Sequence, residues 1–100
     1  MTLNNAQAIC NELDSKYGNV KETSWNTIYS SEEEIVDDLK KIYIPKKRVA
    51  PPFTFRGYEY IYSFAFYAQK GWTLSEKQML QCKRLALEIK KAASIADYKF

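Results

Sequence analysis

Positive charge at helical spacing is the feature of this sequence with the clearest chemical use. Near the C-terminus, Lys77, Arg84 and Lys91 follow one another at intervals of seven residues, with Lys83 and Lys90 beside them. Seven residues make about two helical turns, so a helix would carry these side chains along one face. A cationic face of that length can follow the phosphate backbone of a nucleic acid.

A second group of cations lies in a proline-rich segment, IPKKRVAPPFTFRG, whose three prolines favour an extended backbone. Its two phenylalanines could stack on unpaired bases. The predicted nucleic-acid-binding or partner-binding residues are therefore Lys46, Lys47, Arg48, Phe53, Phe55, Arg56, Lys77, Lys83, Arg84 and Lys91. The alternative interpretation is that the lysines only solvate a helix and that the phenylalanines hold the segment against the core.

The charge is unevenly distributed along the chain. Residues 1–39 contain two lysines and eight carboxylates, whereas residues 40–100 contain 13 lysines and arginines and four carboxylates. The first part therefore has a net charge of −6 and the second a net charge of +9. The two parts should attract each other if they pack together, and the basic part could also attract an anionic partner.

Several classes of chemistry lack the residues they need. There is no histidine, and the three glycines are isolated, so the sequence contains no His-dependent catalytic site, no His zinc site and no glycine-rich phosphate loop. Four acids at i,i+4 spacing could in principle bind a hard cation, but the first turns of a helix also favour acids: Glu33, Glu34, Asp37 and Asp38. We predict no catalytic residue, metal or cofactor, and we expect Cys10 and Cys82 to be buried free thiols.

The elements that must position these residues are predicted to be helices. Apolar residues at helical spacing indicate a first helix over about 3–17, which Gly18 should end in a left-handed conformation. A second helix should begin after Ser30 or Ser31 and stop before Pro45. A final helix should run from Thr73 to about residue 95, opened by a T-x-x-E capping box.

The aromatic segment YEYIYSFAFY fits two periods. At a period of two its tyrosines and phenylalanines share one face of a strand, whereas at a period of 3.6 Ile61, Phe64, Ala65 and Ala68 form a helical face. The following AQKG is typical of the end of a helix, which favours a helix over 58–70. We therefore predict one compact all-α domain over residues 1–100, with about four helices and a buried, aromatic central helix. Most of the seven rings between Tyr58 and Trp72 should belong to the core.

The segment from Tyr62 to Ile89 resembles a helical hairpin found in small phage and bacterial proteins of DNA metabolism. The pattern is a serine-containing helix, a glycine, and then L-S-x-K-Q at the start of a second helix. The matching residues are Ser63, Gly71, Leu74, Ser75, Lys77 and Gln78. The resemblance implies a role associated with nucleic acid and transfers no catalytic residue.

These observations lead to two hypotheses for function. The first is a small non-enzymatic accessory protein that binds nucleic acid, or a complex that handles nucleic acid, through the basic C-terminal part. The alternative is a protein-binding inhibitor of the kind that phages encode against host defence or transcription. No apolar run approaches the roughly 18 residues of a membrane helix, and no signal-peptide pattern opens the sequence, so we expect a cytoplasmic protein without membrane contact.

Overall fold

The computed structural model describes residues 1–21, 24–47, 49–50 and 56–100. These residues form five α-helices and one short 3₁₀ turn and contain no β-strand. In chain order the elements are α1 (Leu3–Tyr17), the 3₁₀ turn (Trp25–Thr27), α2 (Glu32–Lys41), α3 (Tyr58–Gln69), α4 (Glu76–Arg84) and α5 (Ala86–Ser94). The all-α prediction is confirmed, and the ambiguous aromatic segment is a helix.

Local capping explains where the helices begin. Thr2 accepts a hydrogen bond from the Asn5 N–H at the start of α1, and Ser31 accepts one from the Glu34 N–H at the start of α2. Helix α2 has three acids in its first turn and two lysines in its last, which matches the helix dipole. The prediction that Gly18 ends α1 in a left-handed conformation is wrong. Gly18 has a φ of −62°, and its N–H donates a hydrogen bond to the Asp14 carbonyl.

The predicted final helix differs from the observed structure in two ways. Its capping box is formed by Ser75 and Gln78, not by Thr73 and Glu76, because the S-E-K-Q sequence offers the same spacing two residues later. The helix is also divided at Leu85, where φ is −104° and ψ is 21°, so that α4 and α5 are separate helices. The described chain therefore has five helices instead of about four.

The core lies where α2 and α3 pack together and where α5 packs against α1 and α2. Its side chains are mainly aliphatic, and the largest fully buried ones include Ile35, Leu39, Ile61 and Ile89. Cys10 and Cys82 are buried free thiols, as predicted. Every helix in the described ranges is too short or too polar to cross a membrane.

The aromatic character of the central helix is not confirmed. Helix α3 buries the rings of Tyr62 and Phe64 together with the smaller side chains of Ile61, Ala65 and Ala68. The other rings of the segment are only partly buried or are exposed, and Tyr60 retains 57% of its surface. The expectation that most of the seven rings belong to the core is therefore wrong, because rings recur on every side of the helix while only one side faces α2.

Opposite charges join the two parts of the chain. Lys83 lies 2.7 Å from Glu32, Lys91 lies 2.9 Å from Asp14, and Lys90 lies 3.8 Å from Asp38. Each pair connects the basic C-terminal part to the acidic N-terminal part. The predicted attraction between the two parts is confirmed.

Candidate functional site

Several predicted binding residues meet in one cleft, which we call the basic cleft. It has a volume of about 230 Å³ and lies between the end of α1, the 3₁₀ turn, and the junction of α4 with α5. Its cationic side chains are Lys21, Arg56, Lys83 and Arg84, which come from three separate segments of the chain. Among the described lining residues the only carboxylate is that of Glu88. The fold therefore concentrates positive charge at this position.

Arg56 and Arg84 are held together at the mouth of this cleft. The Arg56 guanidinium donates a hydrogen bond to the Arg84 carbonyl at 3.1 Å, and its Nε lies 3.7 Å from the Glu88 carboxylate. The side chain of Arg56 is still about half exposed, and Arg84 is exposed. A guanidinium that is oriented in this way and remains accessible is well suited to contact a phosphate.

Lys83 is more restricted than the sequence indicates. Its ammonium lies 2.7 Å from the Glu32 carboxylate and 4.8 Å from the centre of the Trp25 ring, so it is shared between an ion pair and a cation–π contact. Only 25% of its side chain is exposed. Lys83 therefore contributes less free positive charge to the cleft than Lys21 or Arg84.

Lys91 is wrongly predicted as a binding residue. It is only 6% exposed, and its ammonium donates a hydrogen bond to Asp14 of α1. The division of the helix at Leu85 ends the spacing of seven that would have placed Lys91 in line with Lys77 and Arg84. Lys91 instead joins α5 to α1.

The remaining predicted site residues do not line this cleft. Lys77 is exposed in the first turn of α4, and Lys46 and Lys47 are exposed in the turn that follows Pro45. Arg48, Phe53 and Phe55 lie outside the described residues. Three residues that line the cleft were not predicted as site residues: Tyr17, Lys21 and Trp25. The isolated tryptophan in the polar segment NVKETSWNTIYS is the signal that could have indicated them.

Two of the four acids that could have bound a cation, Glu34 and Asp38, instead make hydrogen bonds within the fold. Glu34 accepts a hydrogen bond from the Ser30 N–H at 2.7 Å, and Asp38 accepts one from the Tyr29 hydroxyl at 2.7 Å. Burial and this hydrogen bond raise the pKa of Tyr29. Among the described residues, no three Cys, Asp or Glu side chains come together in a way that could hold a metal ion.

A larger groove adjoins the basic cleft at Lys83, which lines both, and we call it the apolar groove. It has a volume of about 720 Å³, with α2 as one wall, α4 as the other, and Ala68 of α3 contributing to its lining. Trp72 and Leu80 line it and are 54% and 51% exposed. Val36, Leu74 and Met79 add further apolar surface. Large apolar side chains grouped in this way are typical of a surface that contacts another macromolecule.

Neither buried thiol has the properties of a nucleophile. Burial raises the pKa of Cys82 to about 12 and also raises the pKa of Cys10, so both side chains are protonated at neutral pH.

Comparisons with known proteins identify no relative of the chain. No protein-family model, no curated protein and no solved structure matches the chain.

Proposed function

We propose that the chain is a small, non-enzymatic accessory protein that binds nucleic acid, or a complex that handles nucleic acid, through the basic cleft. The observation that carries this proposal is the convergence of Lys21, Arg56, Lys83 and Arg84 from three segments on one cleft with a single described carboxylate. Lysines that served only to solvate helices would not need to meet in a concave site. Concentrated positive charge is the main source of affinity for a phosphate backbone.

The surroundings of the cations also suit a nucleic acid. Tyr17 and Trp25 are half-buried in the cleft and place flat apolar surface beside the charged groups. Aromatic and cationic side chains in one groove are the usual combination in proteins that bind single strands. Lys83 covers one face of Trp25 and Lys16 one face of Tyr17, so a base or a sugar would have to contact the other surfaces of these rings.

Charge reversal in the cleft tests the proposal. We expect Lys21→Glu combined with Arg84→Glu to lower the affinity for a labelled single strand roughly tenfold or more. The slope of log affinity against log salt should become shallower by about one unit for each phosphate that the variant no longer neutralises. The matched control is Lys70→Glu combined with Lys99→Glu, which changes the net charge equally at exposed lysines outside the cleft. Binding is measured by fluorescence anisotropy across a salt series, with a duplex in parallel.

Two results would reject the proposal. The first is a parent protein without salt-dependent binding to either nucleic acid. The second is an equal loss of affinity in the cleft variant and the control variant, because binding would then depend on overall charge and not on the cleft.

The second candidate function is a protein-binding inhibitor, as phages encode against host defence or transcription. The observation that favours it is the exposure of Trp72 and Leu80 in the apolar groove, because tryptophan is strongly enriched among the residues that dominate protein interfaces. Binding to a protein target would be abolished by Trp72→Ala and unaffected by charge reversal in the basic cleft. A pull-down with the parent and the Trp72→Ala variant separates the two candidates.

A further inference from the structure

The two walls of the apolar groove carry side chains in a matching order. Along α2, the residues that line the groove are Glu32, Val36 and Lys40, at intervals of four. Such a spacing places them in one row on the helix, over roughly 12 Å at 1.5 Å per residue. The order along this wall is acid, apolar, base.

The opposite wall has the complementary order. Glu76, Leu80 and Lys83 line the groove from α4, over roughly 10 Å. The ion pair between Lys83 and Glu32 joins the end of α4 to the start of α2. Gln69, which precedes α4, donates hydrogen bonds to the Leu39 and Ile42 carbonyls at the end of α2, so the two helices run in opposite directions. In the direction of α2, the order along the wall formed by α4 is therefore base, apolar, acid.

The far end of the groove has two exposed, oppositely charged side chains. Lys40 and Glu76 are both exposed, and neither has an ion-pair partner within the described part of the chain. Trp72 and Leu80, which also line the groove, each expose more than half of their surface to water. A partner that covers the apolar surface and supplies one acid for Lys40 and one base for Glu76 would complement the groove in both shape and charge.

A second copy of the chain meets these requirements. We infer that the protein forms a two-fold symmetric homodimer through the apolar groove. A two-fold axis that runs along the groove places α2 of each copy opposite α4 of the other. Lys40 then faces Glu76 of the second copy, Val36 faces Leu80, and Glu32 faces Lys83, and each pair occurs twice.

Such a contact would cover a modest share of the surface of each chain. A stable interface of standard size buries about 800 Å² on each partner. The chain exposes 6260 Å² in total, so the dimer requires about an eighth of that surface. The centre of the interface would contain Trp72, Leu80 and Met79, and the charged pairs would lie at its ends, which is the usual arrangement of an apolar centre and a polar rim.

Charge reversal at the unpaired end gives a specific test. Lys40→Glu places two carboxylates opposite each other in both symmetry-related pairs, and Glu76→Lys places two ammonium groups there. We expect each single variant to associate at least tenfold more weakly than the parent, because the change occurs twice in each dimer. The variant that carries both substitutions should recover the affinity of the parent to within about threefold.

The mixture of the two single variants is the decisive measurement. In a dimer of one Lys40→Glu chain and one Glu76→Lys chain, opposite charges face each other in both pairs, so the mixture should dimerise more tightly than either variant alone. Lys77→Glu is the matched control, because Lys77 neighbours Glu76 but does not line the groove. Sedimentation equilibrium measures the association, and circular dichroism confirms that each variant is folded.

The inference is overturned if the parent is monomeric up to about 100 µM. It is also overturned if the single variants associate as the parent does, or if their mixture associates no better than the variants alone. If the parent is monomeric, the apolar groove would instead be a binding site for a different protein, as in the second candidate function.

Discussion

The hydroxyl group of Tyr62 has the least favourable surroundings of any described side-chain oxygen or nitrogen. Tyr62 is 2% exposed, and its hydroxyl is buried without a hydrogen-bond partner among the described residues. Burial, with smaller contributions from Tyr58 and Tyr43, raises the pKa of Tyr62 to about 12. The ring stabilises the core, whereas the hydroxyl costs desolvation free energy that no hydrogen bond offsets.

We therefore expect Tyr62→Phe to increase the free energy of unfolding at pH 7 by about 1 kcal/mol. The ring is kept, and only the unpaired hydroxyl is removed. Tyr60→Phe is the control, and the loss of its exposed hydroxyl should change the free energy by less than about 0.5 kcal/mol. Urea unfolding measures both; a Tyr62→Phe variant less stable than the parent would show that the hydroxyl has a favourable partner.

The same substitution should change the response to alkaline pH. An unfolded tyrosine has a pKa of about 10, whereas Tyr62 in the folded protein has a pKa of about 12. Between these values the folded state retains the proton that the unfolded state has lost, so the parent loses stability as pH rises through this range. Tyr62→Phe removes this contribution, whereas the raised pKa values of Tyr29, Cys10 and Cys82 add losses that both proteins share.

At the scale of the element, α3 is bounded by two glycines in the same left-handed conformation. Gly57 precedes the helix with a φ of 70°, and Gly71 follows it with a φ of 76°. Their surroundings differ, because a Cβ atom at Gly57 would lie 2.9 Å from Cδ1 of Leu85, whereas none of the surrounding atoms lies within 4 Å of one at Gly71. The start of α3 is thus packed closely against the junction between α4 and α5.

This difference predicts unequal effects of alanine. Gly71→Ala should cost about 1–2 kcal/mol of unfolding free energy, from backbone strain alone. Gly57→Ala should cost at least about 1 kcal/mol more, because the buried Leu85 side chain must also move. The effect of each alanine on the unfolded chain is the same and cancels in the comparison. Equal losses in urea unfolding would contradict the close packing of Gly57 on Leu85.

The helices that sequence analysis locates well are those whose ends are set by local residues. The start of α2 follows from Ser31, and the range predicted for the first helix, 3–17, is the observed range of α1. The division at Leu85 could not be predicted, because neither glycine nor proline marks it. There the Arg84 carbonyl accepts a hydrogen bond from Arg56, which is 28 residues away, so the contact becomes visible only once the chain has folded.

At the scale of the whole molecule, electrostatics joins the two ends of the sequence. Lys91 of α5 is buried against Asp14 of α1, and its side chain is 8% exposed while that of Asp14 is 50% exposed. The charge asymmetry of the sequence predicts this attraction between the two parts. The charge asymmetry does not show which cations pair within the protein. A spacing of seven residues puts Lys77 and Lys91 on the same face of a helix, whereas the fold buries only Lys91.

Charge reversal at these two lysines should therefore have very different effects. Lys91→Glu places a buried carboxylate beside Asp14 and should cost about 3–5 kcal/mol of unfolding free energy. Lys77→Glu should change it by less than about 0.5 kcal/mol, because the position is exposed and the first turn of α4 tolerates an acid. Urea unfolding compares them; similar values for the two variants would contradict the internal role of Lys91.

The two buried thiols, Cys10 and Cys82, can be used to measure how often the helices around them separate. Cys10 lies in α1, which packs on α5, whereas Cys82 lies in α4, next to α3 and α5. An alkylating reagent can reach either sulfur only when the surrounding helices separate, so its rate of modification measures how often that separation occurs. Mass spectrometry of the peptides that contain each cysteine would therefore resolve the opening of α1 from that of α4, without any introduced label.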